Sequence, residues 1–334
     1  MLVQAALRQE NNAVNGTLLI GLALGIAAAQ AQATDPPRIA FLYQTAGACK
    51  PDGRYSAFEQ GMRDLGYVPG RTIAIDFRCH ARPEDMHVIA AEAVRNKVAV
   101  MVVGTPAMAM AARAVTGEVP IVCGSCGDPI QNGLVANLAR PGGNVTGLAS
   151  LSAELMGKRL EVARELAPGT KRFAVLLNPD NPGTRANVDA LNESARPLGL
   201  ELTYAEFRSA ADLPRAFGEA AATRPGVVLV QDDPYALAGR SQIAALALQH
   251  KLPAIAGSIE IAEAGALAVY GPNRLDLFRR AAGFVDRILK GAKPAALPFE
   301  QASKFELVIN LKTAAALGIT MPPALVLRAD RIIR

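Results

Sequence analysis

From residue 38 onward, short β-branched or apolar runs alternate with longer stretches of helical spacing. This alternation limits what the chain can fold into more than any other feature. Strands are predicted over residues 38–43, 72–77, 98–103, 120–122 and 145–148, separated by helices over 55–65, 85–96, 107–115 and 130–138. The scheme then repeats, with helices over 155–166, 183–197, 211–222, 237–250 and 274–289 around strands over 173–177, 201–206, 227–230, 253–256 and 267–270. Alternating β and α segments imply parallel strands with helices on both faces of a sheet. Two such runs meet at residues 142–147, the Gly-rich end of the Gly/Pro-punctuated turn over 137–147 and a sharp change of direction, so an α/β protein of two lobes is expected. A last strand over 305–309 and a proline-broken tail over 321–334 complete one of the sheets. The domain reading is a leader over 1–33, a first lobe over 36–148 with part of 273–297, and a second lobe over 149–270 with 298–334.

The chain has 334 residues, of which 51% are hydrophobic and 19% charged, enough for two folded domains of ordinary size. Aromatic residues make up only 5% and Trp is absent, so aliphatic side chains must build the core. The net charge of +5 is scattered, and the adjacent pairs Lys171-Arg172 and Arg279-Arg280 begin no stripe. Solvated helix faces explain that pattern, and no nucleic-acid partner is expected.

Residues 17–29, TLLIGLALGIAAA, are continuously apolar or small and lead into two Ala-Gln-Ala sites at 29–31 and 31–33. An apolar run this short before a small-x-small site reads as a secretory signal rather than a membrane span. No Cys follows the cleavage site, so a periplasmic protein without a lipid anchor is expected. Export changes the reading of the four cysteines. Cys49 follows the first strand and Cys79 the second, and those strand ends are neighbours in a doubly wound sheet, so a Cys49–Cys79 disulfide is expected. Cys123 and Cys126 have redox-motif spacing. Asp128-Pro129 stands where a redox motif would open a helix, and a structural pair is the better reading.

In open α/β sheets, ligands bind outside the carboxyl ends of the strands. Those ends carry Tyr43, Gln44 and Thr45; Gly104, Thr105 and Pro106; Gly127 and Asp128; Asn178 and Asn181; Asp232 and Asp233; Ser258; and Tyr270. Thr105 suits a helix N-cap and Pro106 the first helical position, so the N–H groups beyond them could hold a carboxylate. A plain cap explains the same residues equally well. Asp128, Asp232 and Asp233 could take a ligand ammonium, or each could cap its following helix. Tyr43 and Tyr270 could supply a flat wall ending in a hydroxyl, or be simple core. A helix start facing acids across a cleft suits a zwitterion.

Catalytic constellations are weak in the sequence. No dinucleotide-binding glycine motif follows the first strand, and neither a phosphate-binding loop nor a nucleophile elbow occurs. His80 and His87 lie near Cys79, but their spacing matches no standard ligand set. No catalytic residue, metal or cofactor is expected.

Six separated segments carry a family resemblance: residues 137–147 (NLARPGGNVTG), 152–160 (SAELMGKRL), 177–182 (LNPDNP), 270–273 (YGPN), 304–314 (KFELVINLKTA) and 322–325 (PPAL). In this order they resemble the solute-binding proteins of ABC importers, the group that includes tryptophan-binding lipoproteins. The resemblance implies a type I periplasmic-binding fold, two Rossmann-like lobes joined by three crossovers. It further implies a small ligand, an aromatic amino acid in the tryptophan-binding members, captured between the lobes and delivered to an ABC permease, and a monomeric protein. A ligand-sensing receptor domain and an exported enzyme are the alternatives; the enzyme is disfavoured because no nucleophile, base or metal set is apparent.

Overall fold

The computed structural model describes residues 35–44, 49–80, 82 and 84–334. The leader expected over 1–33 and the site residue Thr45 lie outside the described residues. The first run of elements is β1 (Arg38–Gln44), α1 (Gly53–Asp64), β2 (Ala74–His80), α2 (Asp85–Arg95), β3 (Val100–Val103), α3 (Pro106–Val115), β4 (Ile121–Cys123) and β5 (Val145–Ala149). The second is α4 (Ser152–Leu166), β6 (Arg172–Leu177), α5 (Thr184–Ala195), β7 (Glu201–Glu206), α6 (Leu213–Ala222), β8 (Val227–Val230), α7 (Pro234–Ala238), α8 (Arg240–Gln249), β9 (Ala254–Ala256), α9 (Ile259–Ala264) and β10 (Ala268–Pro272). There follow α10 (Arg274–Leu289), β11 (Glu300–Gln301), β12 (Phe305–Asn310), α11 (Leu311–Leu317), α12 (Pro323–Arg328) and β13 (Arg331–Ile333).

Two sheets result, with strand orders β11-β5-β4-β3-β1-β2 and β13-β12-β10-β9-β8-β6-β7. The continuous apolar runs form central strands buried on both faces, such as β3 and β8, as parallel sheets require. One face of the first sheet packs Leu42, Met101 and Val103 against Ala90 and Ala112 from α2 and α3. The other packs Phe41 and Val102 against Phe58 of α1 and Phe278, Ala281 and Phe284 of α10. The second sheet is covered in the same way on both faces.

The chain therefore passes between the lobes three times: at Ser150-Leu151 after β5, at Asn273 before α10, and at residues 302–304 between β11 and β12. Glycine at 147 in the Gly/Pro-rich run is dictated by space. Its φ of 138° suits no ordinary side chain, and a Cβ there would run into the Cys123 backbone of the neighbouring strand.

Four expectations change. The helix expected over 130–138 is a turn-rich loop. One helix-like bond, Asn132 N–H to the Asp128 carbonyl, forms, but Gly133 turns left-handed at φ 70°, and Leu134 and Val135 both donate back to the Pro129 carbonyl. Arg113 takes the Gly133 and Leu134 carbonyls that a longer helix would have used. The helix expected over 237–250 is broken into α7 and α8 at Gly239. Strand β12 runs antiparallel to β10, so the second sheet is only mostly parallel. Finally, Glu300 and Gln301 pair with β5 in the first sheet, so the chain enters the second sheet only at β12.

Candidate functional site

A cavity of about 210 Å³ lies where the carboxyl ends of both sets of strands converge. That is below the ~300–1,000 Å³ typical of drug-sized ligands and suits a molecule of amino-acid size. From the first lobe its wall takes Tyr43, Gln44, Gly104, Thr105, Pro106, Gly127 and Asp128; from the second, Asn178, Asn181, Asp232 and Asp233. Two expected residues are not brought in. Ser258 is buried behind the wall, where its hydroxyl binds Asp232. Tyr270 presents its backbone carbonyl to Arg159 while its ring stacks on Phe305, with centroids 6.5 Å apart. Strand β10 lies between β9 and β12, which leaves that ring on the sheet face instead of the cleft.

Thr105 caps its own helix, its Oγ1 accepting from Met108 N–H at 3.2 Å, and Pro106 has no N–H to offer. Asp128 likewise caps a turn: Oδ1 accepts from the N–H groups of Ile130 (2.9 Å) and Gln131 (3.1 Å). Asp233 accepts from Tyr235 N–H at 2.8 Å and from the side-chain amides of Asn178 and Asn181, each at 3.0 Å. Burial outweighs those donors and pushes its pKa up. Asp232 is held by Arg159, which is fully buried and donates from Nη2 at 2.5 Å, and by Arg274 at 3.5 Å. Burial pushes the Asp232 carboxyl up, but the two guanidinium groups prevail and hold it below the usual range. Asp232 and Asp233 are thus committed to the protein's own donors.

The functional side chains not anticipated from sequence are on helices and loops. Arg54 of α1 lines the cavity, binds Asp52 through Nε (2.8 Å) and Nη2 (2.6 Å), and lies over the Tyr43 ring, 4.6 Å from its centroid. Burial first, and then the charge of Arg274, bring its pKa down to about 10, so it stays cationic near neutrality. Arg274 opens α10 right after the second crossover, and its Nε is buried without a protein partner. Asn132 and Asn187 also line the wall, each with a buried amide oxygen lacking a protein partner. Tyr235, Met86 and Leu237 give it an apolar side. Arg54 and Arg274 bring two guanidinium groups to this end of the cavity; Asp52, Asp232 and Glu260 offset their charge, and Arg159 and Arg240 add to it. The only sequence signal for Arg274 was its place just after the 270–273 turn.

Both disulfides sit beside the site. Cys49 is bonded to Cys79, as expected from the pairing of β1 with β2. Cys123 is bonded to Cys126, closing the turn that carries Ser125 and leads to Gly127 and Asp128. Among the described residues no group of three or more His, Cys, Asp or Glu side chains is placed to hold a metal ion.

Residues 50–333 match the family described as ABC transporter substrate binding protein. A tyrosine-binding protein of Clostridioides difficile strain R20291 is 26% identical over 270 residues, covering 80% of this chain and 77% of its own. The solved structure of a conserved domain protein from Vibrio cholerae superposes with a TM-score of 0.84 at 28% identity, over 89% of this chain and 100% of the other. An ABC domain from Streptococcus pneumonia, solved in complex with L-Trp, gives 0.83 over 90% of this chain and 100% of the other; at 24% identity that likeness is one of fold.

Proposed function

Because the chain belongs to the family of ABC transporter substrate-binding proteins, we propose that it captures an aromatic amino acid between its lobes, outside the cytoplasm, and hands it to a membrane permease. The observation that carries this reading is Arg274. Its Nε is a buried donor without a protein partner, on the wall of the cavity. A ligand carboxylate answers that donor, because charge-assisted bonds to guanidinium are the strong ones. Arg54 reinforces the field from the same end of the cavity. The apolar side made by Tyr235, Met86 and Leu237 fits a flat side chain. The tyrosine-binding relative supports an aromatic ligand. The site binds and releases its ligand unchanged, and the work it does is closure: a ligand touching both lobes favours the closed arrangement by its extra contacts there.

Thermal-shift screening of the twenty amino acids, followed by calorimetry, tests the reading. L-Tyr, L-Phe or L-Trp is expected to raise the melting temperature, a ligand at a hundred times its Kd adding about 2.7 kcal/mol. Arg274→Gln should weaken that ligand by about 1.5–3 kcal/mol, the worth of a hydrogen bond to a charged group. A protein that ignores all amino acids, or prefers a ligand with no carboxylate, would sink the proposal.

A further inference from the structure

Asn132 and Asn187 come from opposite lobes. Asn132 sits in the loop after β4, and Asn187 one turn into α5. They are 6% and 5% exposed, both line the cavity, and the amide oxygen of each is buried with no protein partner. The Asn132 amide cannot turn over. Its Nδ2 donates to the Cys126 carbonyl at 2.8 Å, a group that only accepts, so Oδ1 must point away from it. The two residues meet at the start of α5. Asn132 Oδ1 lies 3.6 Å from where a Cβ on Gly183 would stand, and the Gly183 carbonyl accepts the Asn187 N–H at 3.0 Å.

The Asn132 oxygen is a fixed buried acceptor, and the Asn187 oxygen as placed is a second on the same cavity, a pairing that disfavours a carboxylate, whose lone pairs would oppose theirs. A group with several donors and no acceptor suits them, and an ammonium is such a group. Asp128 supplies the charge. It lines the same cavity on the Asn132 loop, and both its capping bonds fall on Oδ1. We propose that the amide oxygens of Asn132 and Asn187 form a seat, shared between the lobes, for the ligand's ammonium group. The seat replaces Asp232 and Asp233, which the protein's own donors occupy. It rests on the amino-acid reading above and deepens it, since one ligand group bonded to both lobes ties recognition to closure.

Calorimetry with two probes tests the seat: L-tyrosine, and 3-(4-hydroxyphenyl)propionate, which lacks only the amine. Wild type should prefer L-tyrosine by at least ~100-fold, because a site built to hydrogen-bond a group rejects the analogue without it. Asn132→Ala and Asn187→Ala should each weaken L-tyrosine by about 10- to 100-fold and leave the propionate within about threefold, so the preference collapses. Asn187→Asp keeps the shape and an acceptor and should retain the preference, which separates loss of the seat from loss of folding. Alanine variants that bind L-tyrosine like wild type, or that lose both probes equally, overturn the seat. So does a wild type that binds the propionate as well as L-tyrosine. Wild type that binds neither these probes nor L-phenylalanine or L-tryptophan overturns the aromatic amino-acid reading itself, and the seat with it.

Discussion

Arg159 is the largest fully buried side chain, and a buried arginine persists only when its donors are met. Nε donates to the Tyr270 carbonyl at 2.8 Å and Nη2 to Asp232, so the residue ties α4, β10 and the end of β8 together beneath the cavity wall. The fit is tight: a Cβ on Gly257 would collide with both the guanidinium and Asp232. Arg159 acts on the site only through Asp232, which in turn holds Arg274 in place. Arg159→Met should cost about 3–5 kcal/mol in urea unfolding, because it strips most of the counter-charge from a buried carboxylate. The pH dependence gives the sign. In wild type Asp232 titrates below its ordinary 3.8, so its contribution is present above that pH and lost as the pH falls through the lower folded value. In the variant burial raises the folded pKa instead, so the deficit is largest near neutrality and shrinks on acidification as Asp232 takes up a proton. A deficit independent of pH would contradict this role.

At the scale of elements, the position of Arg274 depends on how α10 docks. This helix leaves the second lobe at Asn273, which caps it by accepting from Asp276 N–H at 2.8 Å, and lays Leu277, Phe278, Ala281 and Phe284 on the first sheet. It approaches α1 so closely that a Cβ on Gly61 would strike the Arg279 carbonyl and lie 2.8 Å from Ala282 Cβ. Gly61→Val should therefore lose about 1–3 kcal/mol by overpacking. Gly218→Ala, in the open space of α6, should gain up to about 1 kcal/mol from helix propensity. Urea melts of the two variants check this, and equal effects would contradict the packing argument. The Cys123–Cys126 turn is pinned in the same neighbourhood. Gly124 N–H donates to the Val103 carbonyl at 2.8 Å and Cys126 N–H to Leu148 at 3.0 Å, while Ser150 and Leu151 at the first crossover donate to the Gly127 carbonyl. The loop that carries Asp128 and Asn132 is thus tied to a hinge strand.

For the whole molecule, the Asn132 and Asn187 oxygens and Arg274 Nε line one cavity, buried with no protein hydrogen-bond partner. Unsatisfied buried polar groups cost about 1–3 kcal/mol each, so this arrangement favours a bound ligand, and the free protein gains by opening its cleft to water. Small-angle scattering should show the radius of gyration falling when a ligand found by the thermal screen is added. An unchanged radius would argue against hinge closure as the mode of capture.

The sequence by itself determined the elements and their class. Runs such as 39–43 and 227–230 are apolar at every position, which only a strand covered on both faces tolerates, and their alternation with helices made parallel order the expected one. It also placed the cavity, because parallel strands point their carboxyl ends to one side, and most of the strand-end residues named from sequence do line it. Tertiary structure decided the rest. The third crossover returns the chain against the direction of β10, so β12 runs antiparallel, and no local pattern records that. Which acids stay free was equally hidden. Arg159, 73 residues from Asp232, claims it from beneath the wall, and Asn178 and Asn181 claim Asp233. Asn132, Asn187 and Arg274 lie on a loop and two helices, where periodicity marks which face is buried but says nothing about which polar groups from distant segments will meet. Their shared place on one cavity exists only once both lobes have folded, because it depends on distances that sequence spacing does not set.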